Sequence, residues 1–441
     1  MSDALPATGR AAHTSPDAPP GQARRAALSG FLGTSMEWYD YFLYGSAAAL
    51  VFPRLFFHGM PGAVATVVSL ASFGVSFLFR PLGGIIFGHF GDRVGRKQML
   101  VATLLLMGGG SFLIGCLPTA SSIGAAAPVL LVILRMVQGI GLGGEWGGAA
   151  VVVVESAPSA RRGLYGSSMQ MGVPAGQLSS AGMVALFSLL PGEGFFTWGW
   201  RVPFLASGLL VVVGLWVRAR LAETPQFQSL EERDQQERLP ISEVLRTALR
   251  PVILLIFVQF GATIAYYMFT VYVLVYVTDH LGLPRGWGLT GVLAGAALEL
   301  VTIPFWARLS DRIGRRPVYA IGTVFMGLFA FPFFWMLDTK SAAVVVLAVL
   351  IGLGIGHAPT AALNGSVYAE QFPARLRYTG SSLAYQVSSV IAGAPAAVVA
   401  AALVNATGSA KSVSIYLAAG ALVSVIAVAL LSETRSKELA L

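Results

Sequence analysis

Residues Gly88 to Leu100 read GHFGDRVGRKQML and lie between two long apolar stretches. They bring one acid, Asp92, together with three basic side chains. Charge at this density cannot lie in hydrocarbon, so we predict a tight loop at the surface of a membrane. A near copy, with Asp311 at the equivalent position, follows in the second half of the chain. This recurrence predicts a chain built from two related halves.

The composition indicates a protein that crosses a membrane many times. Of its 441 residues, 55% are hydrophobic and 11% are charged, whereas a soluble domain carries roughly 25% charged residues. The net charge of +8 would elsewhere suggest nucleic acid, but the basic residues cluster in short loops, so we expect no nucleic-acid partner. The single cysteine, Cys116, allows no internal disulfide, and the five histidines are scattered, so we expect no metal and no cofactor.

Twelve apolar stretches, from 27–53 to 411–432, are long enough to cross the hydrocarbon core as helices. Most of the 29 Lys and Arg residues then fall in loops on the side of both termini, which makes that side cytoplasmic. We therefore predict an all-α membrane protein with twelve transmembrane helices in two pseudo-symmetric six-helix bundles, located in the plasma (cytoplasmic) membrane as a monomer. The predicted parts are a disordered cytoplasmic tail at 1–26, an N-terminal bundle at 27–221, a cytoplasmic linker at 222–249, a C-terminal bundle at 250–432 and a cytoplasmic tail at 433–441.

Further motif pairs relate the two halves. Glu155 ends the fourth stretch and Glu370 ends the tenth, and each is followed by a proline and arginines. Glu223 and Glu433 close the sixth and twelfth stretches in the same way. Parallel repeats of this kind place a substrate site between the halves, near the bilayer midplane.

With these motifs in view, the chain after its first residues resembles the major facilitator superfamily. The segment from Gly88 to Leu100 resembles the signature of that family between spans two and three, and RMVQGIG at 135–141 resembles its fourth-span motif. Five further motifs are similar to the metabolite:H+ symporter family within it, namely EWYDY at 37–41, RPLGG at 80–84, GGEWGG at 143–148, WGWRVPF at 198–204 and ETPQF at 223–227. The second loop copy departs from the pattern at its first position, where Ala307 replaces Gly. The resemblance implies the major facilitator fold and proton-coupled transport of small metabolites in bacterial inner membranes.

Ionisable side chains within the spans are candidates for function, because they are costly in hydrocarbon. Glu37 and Asp40 are three residues apart and therefore share one face of the first span. The resemblance implies that Asp40 carries the proton with Arg135 as its partner, as at similar positions of related sugar–proton symporters. The alternatives are Glu37 as the carrier and a fixed Asp40–Arg135 ion pair that ties spans one and four together.

Arg80 is the cation best suited to a substrate role, because a guanidinium fork holds both oxygens of a carboxylate. The alternative is a structural partner for the Asp92 loop or for lipid headgroups. Glu299 has no basic partner that the sequence identifies, and we interpret His357 as a packed neutral imidazole. The other predicted substrate residues are aromatic or amide side chains within spans, namely Trp38, Tyr41, Gln138, Gln170, Gln259, Tyr267 and Asn364. The competing use of the amides is hydrogen bonding between helices.

The charged segments themselves are predicted to act as a gate. Their contacts would close the cytoplasmic side while the cavity faces outward, and breaking them would open it. The alternative is a plain turn that sets the topology. The predicted gate residues are Gly91, Asp92, Arg93, Gly95, Arg96, Asp311, Arg312 and Arg315.

Together these observations predict a secondary active transporter that imports a small organic acid or zwitterion with protons by alternating access. Its partners would be the small-molecule substrate, protons and the lipid bilayer. Proton-driven efflux and uncoupled facilitation are alternatives within the same fold, and a membrane sensor with a transporter-like body is the alternative from another class. The chain has no glycine-rich phosphate loop and no catalytic constellation, so we expect neither ATP-driven transport nor an enzyme.

Overall fold

The computed structural model describes residues 20–57, 59–232 and 240–439, and within them the chain is helical without β-strands. The first half contains six long helices, Pro20–Leu50 (α1), Gly62–Arg93 (α2), Arg96–Cys116 (α3), Ala126–Ser156 (α4), Arg162–Ser188 (α5) and Phe195–Ala219 (α6). The second half contains six more, Leu249–His280 (α7), Arg285–Ile313 (α8), Arg315–Asp338 (α9), Ala342–Ala369 (α10), Ala374–Thr407 (α11) and Lys411–Leu430 (α12). The twelve predicted spans match these twelve helices.

Ten of the twelve, all except α1 and α5, are long and apolar enough to be recognised as membrane spans from those properties alone. The first helix begins at Pro20, so residues 20–26, predicted to be disordered tail, are helical; residues 1–19 lie outside the described part. The linker contains two short helices, Pro225–Glu232 and Pro240–Thr247. Four long helices widen locally into π-helix, at Phe195–Gly199 in α6, Met268–Tyr272 and Tyr276–His280 in α7, Gly352–His357 in α10 and Ser389–Gly393 in α11.

The two halves meet along equivalent helices. In the first half α1 packs on α5 and α2 on α4, and in the second half α7 packs on α12 and α8 on α10. Between the halves, α2 lies against α11, and α5 lies against α8. Since α8 is the repeat of α2 and α11 is the repeat of α5, the interface has the pseudo-symmetry that the sequence repeat predicts.

A buried ion pair ties the first half together. Arg218 on α6 donates hydrogen bonds to Glu145 on α4 and to the carbonyl of Leu100 on α3. Thr103 also donates to Glu145, with an O–O distance of 2.5 Å. A Cβ atom at Gly33 of α1 would collide with both charged groups, so α1 approaches this pair with its backbone. Glu145 is therefore a structural residue that joins helices within one half.

The segment predicted as a surface loop is mostly helical. Helix α2 runs through Asp92 to Arg93, and α3 starts at Arg96, leaving only Val94 and Gly95 between them. Gly95 has a φ angle of 131°, a conformation that favours glycine. Asp92 has 0% exposure and is surrounded by protein. The predicted loop is therefore shorter than expected, and Asp92 lies in the last turn of α2, where its charge is compensated inside the protein.

Asp92 binds the opposite half of the molecule. Its carboxylate accepts hydrogen bonds from the N–H groups of Tyr378 and Thr379, at 3.2 and 2.9 Å, near the start of α11. N–H groups in the first turn of a helix have no intrahelical acceptor and lie at the positive end of the helix dipole. Arg96 lies 3.5 Å from Asp92 and donates to the carbonyl of Ala374 at 2.5 Å.

Glu155 adds a second connection between the halves at the same level. This residue of α4 accepts a hydrogen bond from Arg377 of α11 at 2.6 Å, and Arg96 lies 3.6 Å from the same carboxylate. The side chains of Glu155, Arg377 and Arg96 are all fully buried, with 0% exposure. Acids of α2 and α4 and basic groups of α3 and α11 thus form one buried network between the halves at one end of the molecule.

The second copy makes the equivalent contact in the opposite direction. Asp311 accepts hydrogen bonds from the N–H groups of Gly163 and Leu164 at the start of α5, both at 2.9 Å. Arg315 lies 2.7 Å from Asp311 and 3.1 Å from Glu370. Each half therefore places a carboxylate on the first turn of a helix in the other half, and the substitution of Gly by Ala in the second copy does not prevent it.

Glu433, just after α12, binds the start of α9. Its carboxylate accepts hydrogen bonds from the N–H groups of Arg315 and Arg316, both at 3.0 Å. Burial acts to raise the pKa of Glu433, but these donors and the N–H groups of the next two residues outweigh it and lower the pKa below its ordinary value. The predicted C-terminal tail thus begins as an ordered part of the bundle.

Two of the predicted gate residues do not take part in these contacts. Arg93 and Arg312 are exposed, and neither forms a hydrogen bond or an ion pair within the described ranges. They extend from the helix ends, where water solvates a guanidinium without any partner. The gate role of these two arginines stays a prediction, and their exposed positions fit the basic surface loops that set the topology of membrane proteins.

Tyr378 fills a notch made by glycines. Its ring lies against Gly91 of α2 and Gly148 of α4, where an added Cβ atom would overlap the ring. Its hydroxyl donates a hydrogen bond to the carbonyl of Gly144 at 2.9 Å. This close packing of the two halves therefore needs glycine at these positions, because any side chain would occupy the space of the tyrosine.

Removing one member of the buried ion pair should destabilise the first half. We predict that Arg218→Met lowers the stability of the protein by about 3–5 kcal/mol, because Glu145 is left as an uncompensated buried charge. The loss is measured as a lower melting temperature in detergent. Arg220→Met, which changes an exposed arginine at the same helix end, is the matched control. Equal melting temperatures for the two variants would contradict the structural role.

Filling the glycine notch should open the cytoplasmic side. We predict that Gly91→Ala displaces Tyr378 at a cost of about 1–3 kcal/mol, and that the cytoplasmic side opens roughly fivefold or more often. The readout is maleimide labelling of a cysteine placed at Ser381, a buried residue of α11, with the exposed Cys116 changed to serine. Gly74→Ala in the same helix is the control, because no atom lies within 4 Å of its added methyl group. Unchanged labelling in Gly91→Ala would show that the notch does not hold the gate closed.

Candidate functional site

A cavity of about 40 Å³ lies between the two halves. Its lining comprises Trp38, Arg80, Gln170 and Val173 from the first half, and Gln259, Thr263, Tyr266, Tyr267, Glu299, His357, Ala361, Asn364, Tyr385 and Ser389 from the second. Pockets that enclose small organic ligands usually measure roughly 300–1,000 Å³. The cavity is therefore contracted in this conformation, and the halves must move apart to admit a metabolite.

Aromatic contacts between the halves border the cavity on both sides. The hydroxyls of Tyr41 and Tyr267 are 3.2 Å apart. On the side of the charged network, the ring of Trp146 stacks on Tyr385 with centroids 3.6 Å apart and planes 7° apart. Of the predicted aromatic residues, Trp38 and Tyr267 line the cavity, and Tyr41 lies beside it through its contact with Tyr267.

Arg80 enters the cavity from α2 without an acidic partner. Its guanidinium lies over the ring of Phe77 at 4.6 Å and over the ring of Tyr41 at 5.3 Å. It is 5% exposed, and it makes no hydrogen bond or ion pair among the residues that the structure describes. Neither alternative from the sequence is observed, because Asp92 is bound elsewhere and the side chain faces the protein interior. A buried guanidinium with free donors is suited to bind a carboxylate.

Three of the predicted amides line the cavity, and each already has one partner. The hydroxyl of Tyr319 lies 2.9 Å from Gln259 and 3.3 Å from Asn364, and it donates to the amide oxygens. Gln170 accepts a hydrogen bond from the indole of Trp146 at 3.2 Å. These contacts orient the three amides, whose remaining groups can bind a ligand.

Gln138 requires a correction. It does not line the cavity; it donates a hydrogen bond to Ser111 at 2.7 Å and accepts one from Arg135 at 3.2 Å. This is the competing use of amides in membrane helices, namely hydrogen bonding within the bundle.

Asp40 lies inside the first half, away from the cavity lining. It accepts a hydrogen bond from Ser207 of α6 at 2.6 Å, and Ser111 of α3 faces the same carboxylate. Because Ser111 also binds Gln138, and Gln138 binds Arg135, a chain of polar side chains joins Asp40 to the arginine. No direct ion pair is formed between the two, so the fixed-pair alternative is not what the structure contains.

The guanidinium of Arg135 has hydrogen-bond partners for only some of its nitrogens. Arg135 is 1% exposed, and its guanidinium lies over the rings of Tyr44 and Phe73 at 4.3 and 5.1 Å. Two of its nitrogens, Nε and Nη2, have no hydrogen-bond partner. Donors of this kind remain available to a nearby carboxylate when the helices shift.

Glu37 lies one turn below Asp40 on α1 and faces other groups. It is 4% exposed, and its Oε2 atom has no hydrogen-bond partner. The charges that act on it are those of Arg80 and Glu145. Glu37 therefore interacts electrostatically both with Arg80 at the cavity and with Glu145 of the ion pair inside the first half.

The sequence did not predict the contact between Glu299 and His357. Nδ1 of the imidazole lies 2.6 Å from Oε1 of the carboxylate, and both residues line the cavity. They come from α8 and α10, so no local pattern relates them. The only signal was the presence of an isolated acid and an isolated histidine within apolar stretches.

Known proteins resemble this chain over nearly all of its length. The model of the Major Facilitator Superfamily matches residues 30–397 and 299–439. The chain is 43% identical to the shikimate transporter of Escherichia coli K12 over 419 residues, which cover 94% of this chain and 95% of that protein. It is 33% identical to the proline/betaine transporter of the same strain, over 95% of this chain and 85% of that protein.

The structure is similar to that of the proton:xylose symporter XylE bound to 6-bromo-6-deoxy-D-glucose. The TM-score is 0.73 at 18% identity, with 95% of this chain and 98% of that chain covered. At this identity the likeness establishes the fold. Together with the relatives, it shows that the chain belongs to the major facilitator superfamily and is a membrane transporter.

Proposed function

We propose that the protein imports a small hydroxylated organic acid together with protons, with shikimate as the first candidate. The observation that carries the proposal is Arg80, a buried cation at the wall of the central cavity that forms no ion pair with any residue that the structure describes. An organic anion would supply the missing countercharge. The neighbouring amides Gln259, Asn364 and Gln170 would bind its hydroxyl groups, and the shikimate transporter is the relative whose name agrees with this chemistry.

A zwitterion is the second candidate, and the aromatic lining supports it. Trp38, Tyr266 and Tyr267 line the cavity beside Arg80. Aromatic faces attract quaternary ammonium groups, and the proline/betaine transporter is among the relatives. A betaine would place its carboxylate on the arginine and its cationic end against these rings.

Proton coupling is assigned to Asp40 with Arg135, and Glu37 is the alternative carrier. Protonation of Asp40 removes the charge that orients Ser207 and Ser111, so the packing of α1 on α3 and α6 changes. The same helix carries Trp38 and Tyr41 to the cavity and to the contact with α7. A shift of α1 would therefore link proton binding to the separation of the halves.

The gate in this proposal consists of Asp92, Arg96, Asp311 and Arg315, with Gly91 and Gly95 allowing the close approach. These residues would hold the cytoplasmic side closed until the loaded cavity turns inward by rocking of one half against the other. We infer from the basic loop residues that both termini lie in the cytoplasm. Since one chain holds both halves and the complete cavity, we propose that the monomer is the working unit.

Asp40→Asn should separate proton-driven accumulation from exchange. One proton per monoanion makes the transport electroneutral, so a gradient of one pH unit supports about tenfold accumulation. We predict that wild-type proteoliposomes reach this with labelled shikimate, whereas Asp40→Asn equilibrates without accumulation and still exchanges internal for external shikimate. Glu37→Gln is the matched variant one turn away. Full accumulation by Asp40→Asn, with loss in Glu37→Gln, would transfer the role to Glu37.

Arg80→Gln should weaken the recognition of carboxylates. Hydrogen bonds to a charged group contribute about 1.5–3 kcal/mol, so the apparent affinity for shikimate should fall by roughly 10- to 100-fold. The measurement is competition of unlabelled shikimate against labelled shikimate in exchange, with shikimate methyl ester as a neutral comparison. Arg54→Gln, at an exposed arginine paired with Glu193, is the control. Equal affinity for shikimate in Arg80→Gln and the wild type would exclude the arginine as the carboxylate ligand.

A further inference from the structure

The pair Glu299–His357 is the titratable group of the cavity that the proposed mechanism does not use. The two side chains are 2% and 7% exposed and meet at 2.6 Å. His357 is the last residue of the π-helical turn Gly352–His357, and such turns are frequent at functional sites. Thr302, one turn after Glu299, donates a hydrogen bond to the carbonyl of Gly354 at 2.7 Å and fixes α8 against this turn.

Among the described residues that line the cavity, Glu299 and His357 are the side chains of the second half that can accept a proton. The other titratable or charged side chains of the cavity lining are Arg80 from α2, Tyr266 and Tyr267 from α7 and Tyr385 from α11; α5, which packs on α8, contributes only uncharged residues to it. The ring of Tyr266 lies 5.0 Å from the imidazole, and its hydroxyl has no hydrogen-bond partner. Within the described lining, Glu299 is the one carboxylate and His357 the one imidazole.

A neutral imidazole with its hydrogen on Nδ1 can donate to the carboxylate, and the pair then has a net charge of −1. One added proton gives a pair without net charge. A second proton gives a neutral acid beside an imidazolium, with a net charge of +1. In a cavity of low dielectric constant, a net charge is favourable only when an opposite charge lies close by. An organic anion bound at Arg80 would bring that opposite charge into the same cavity. Substrate binding would therefore draw a proton onto the pair.

We propose that Glu299 and His357 form a second proton-binding site, in the C-terminal half, which takes up a proton when the anionic substrate binds in the cavity. This inference rests on the proposed function, because it requires an organic anion as the ligand. It differs from the role assigned to Asp40, which lies within the first half and does not line the cavity. Proton binding at Asp40 would act on the packing of α1, whereas proton binding at the pair acts on the substrate directly.

The test counts the protons that accompany binding. Shikimate is titrated into the purified full-length protein by calorimetry, in buffers of different ionisation enthalpy, at a pH near the ordinary titration range of histidine. The wild type is expected to take up protons on binding. Glu299→Gln and His357→Gln should each lower the uptake by up to about one proton, while Asp40→Asn keeps this component.

Thr302→Val is the control for the same helix contact, because it removes the hydroxyl that binds the π-helical turn without removing a titratable group. It should take up as many protons as the wild type. If Glu299→Gln and His357→Gln bind shikimate with the same proton uptake as the wild type, the pair is structural and the inference fails.

A second measurement serves variants that no longer bind shikimate. The melting temperature without ligand is followed from about pH 5 to pH 8, where histidine changes its charge. The difference between the wild type and His357→Gln should vary with pH, and Glu299→Gln should show the same trend; parallel curves would overturn the inference. Failure of the wild type to bind or transport shikimate would instead refute the proposed substrate, and the pH series would still decide whether the pair titrates.

Discussion

The closed end of the molecule depends on carboxylates that are removed from water and bound to the starts of helices in the opposite half. Asp92 binds two N–H groups at the start of α11, and Asp311 binds two at the start of α5. A buried charge of this kind is tolerated only when donors surround it. The same requirement brings Arg96 and Arg315 into the interface, where each pairs with its own acid and with the glutamate that ends α4 or α10.

Such an interface is suited to opening and closing. Its hydrogen bonds to charged groups each contribute a modest net stability, about 1.5–3 kcal/mol, because water replaces the protein partners when the halves separate. Glycines at the helix crossings let Tyr378 approach the backbone of α2 and α4 closely. The interface thus excludes water when closed without making the open state inaccessible.

The two halves share a fold but contribute different chemistry. The first half supplies Arg80 at the cavity and the polar chain from Asp40 to Arg135 within the bundle. The second half supplies most of the hydrogen-bonding lining and the pair of Glu299 and His357. The cavity lies between the two repeats, so residues at equivalent positions line it from opposite sides. These residues need not be alike, and the two halves can therefore contribute different side chains. A ligand with one anionic end and several polar groups is complementary to such an asymmetric lining.

The sequence by itself determined the twelve helices, the two-half repeat and the membrane setting, because length, apolar composition and loop charge are local properties of each segment. It also identified Arg80, Asp40 and Arg135 as buried charges that need an explanation. Only the tertiary structure decided which of these charges meet. The burial of Asp92, the use of Gln138 within the bundle and the contact of Glu299 with His357 all depend on contacts between different helices. Periodicity shows which face of a helix is polar, but only the packing of neighbouring helices determines what that face contacts.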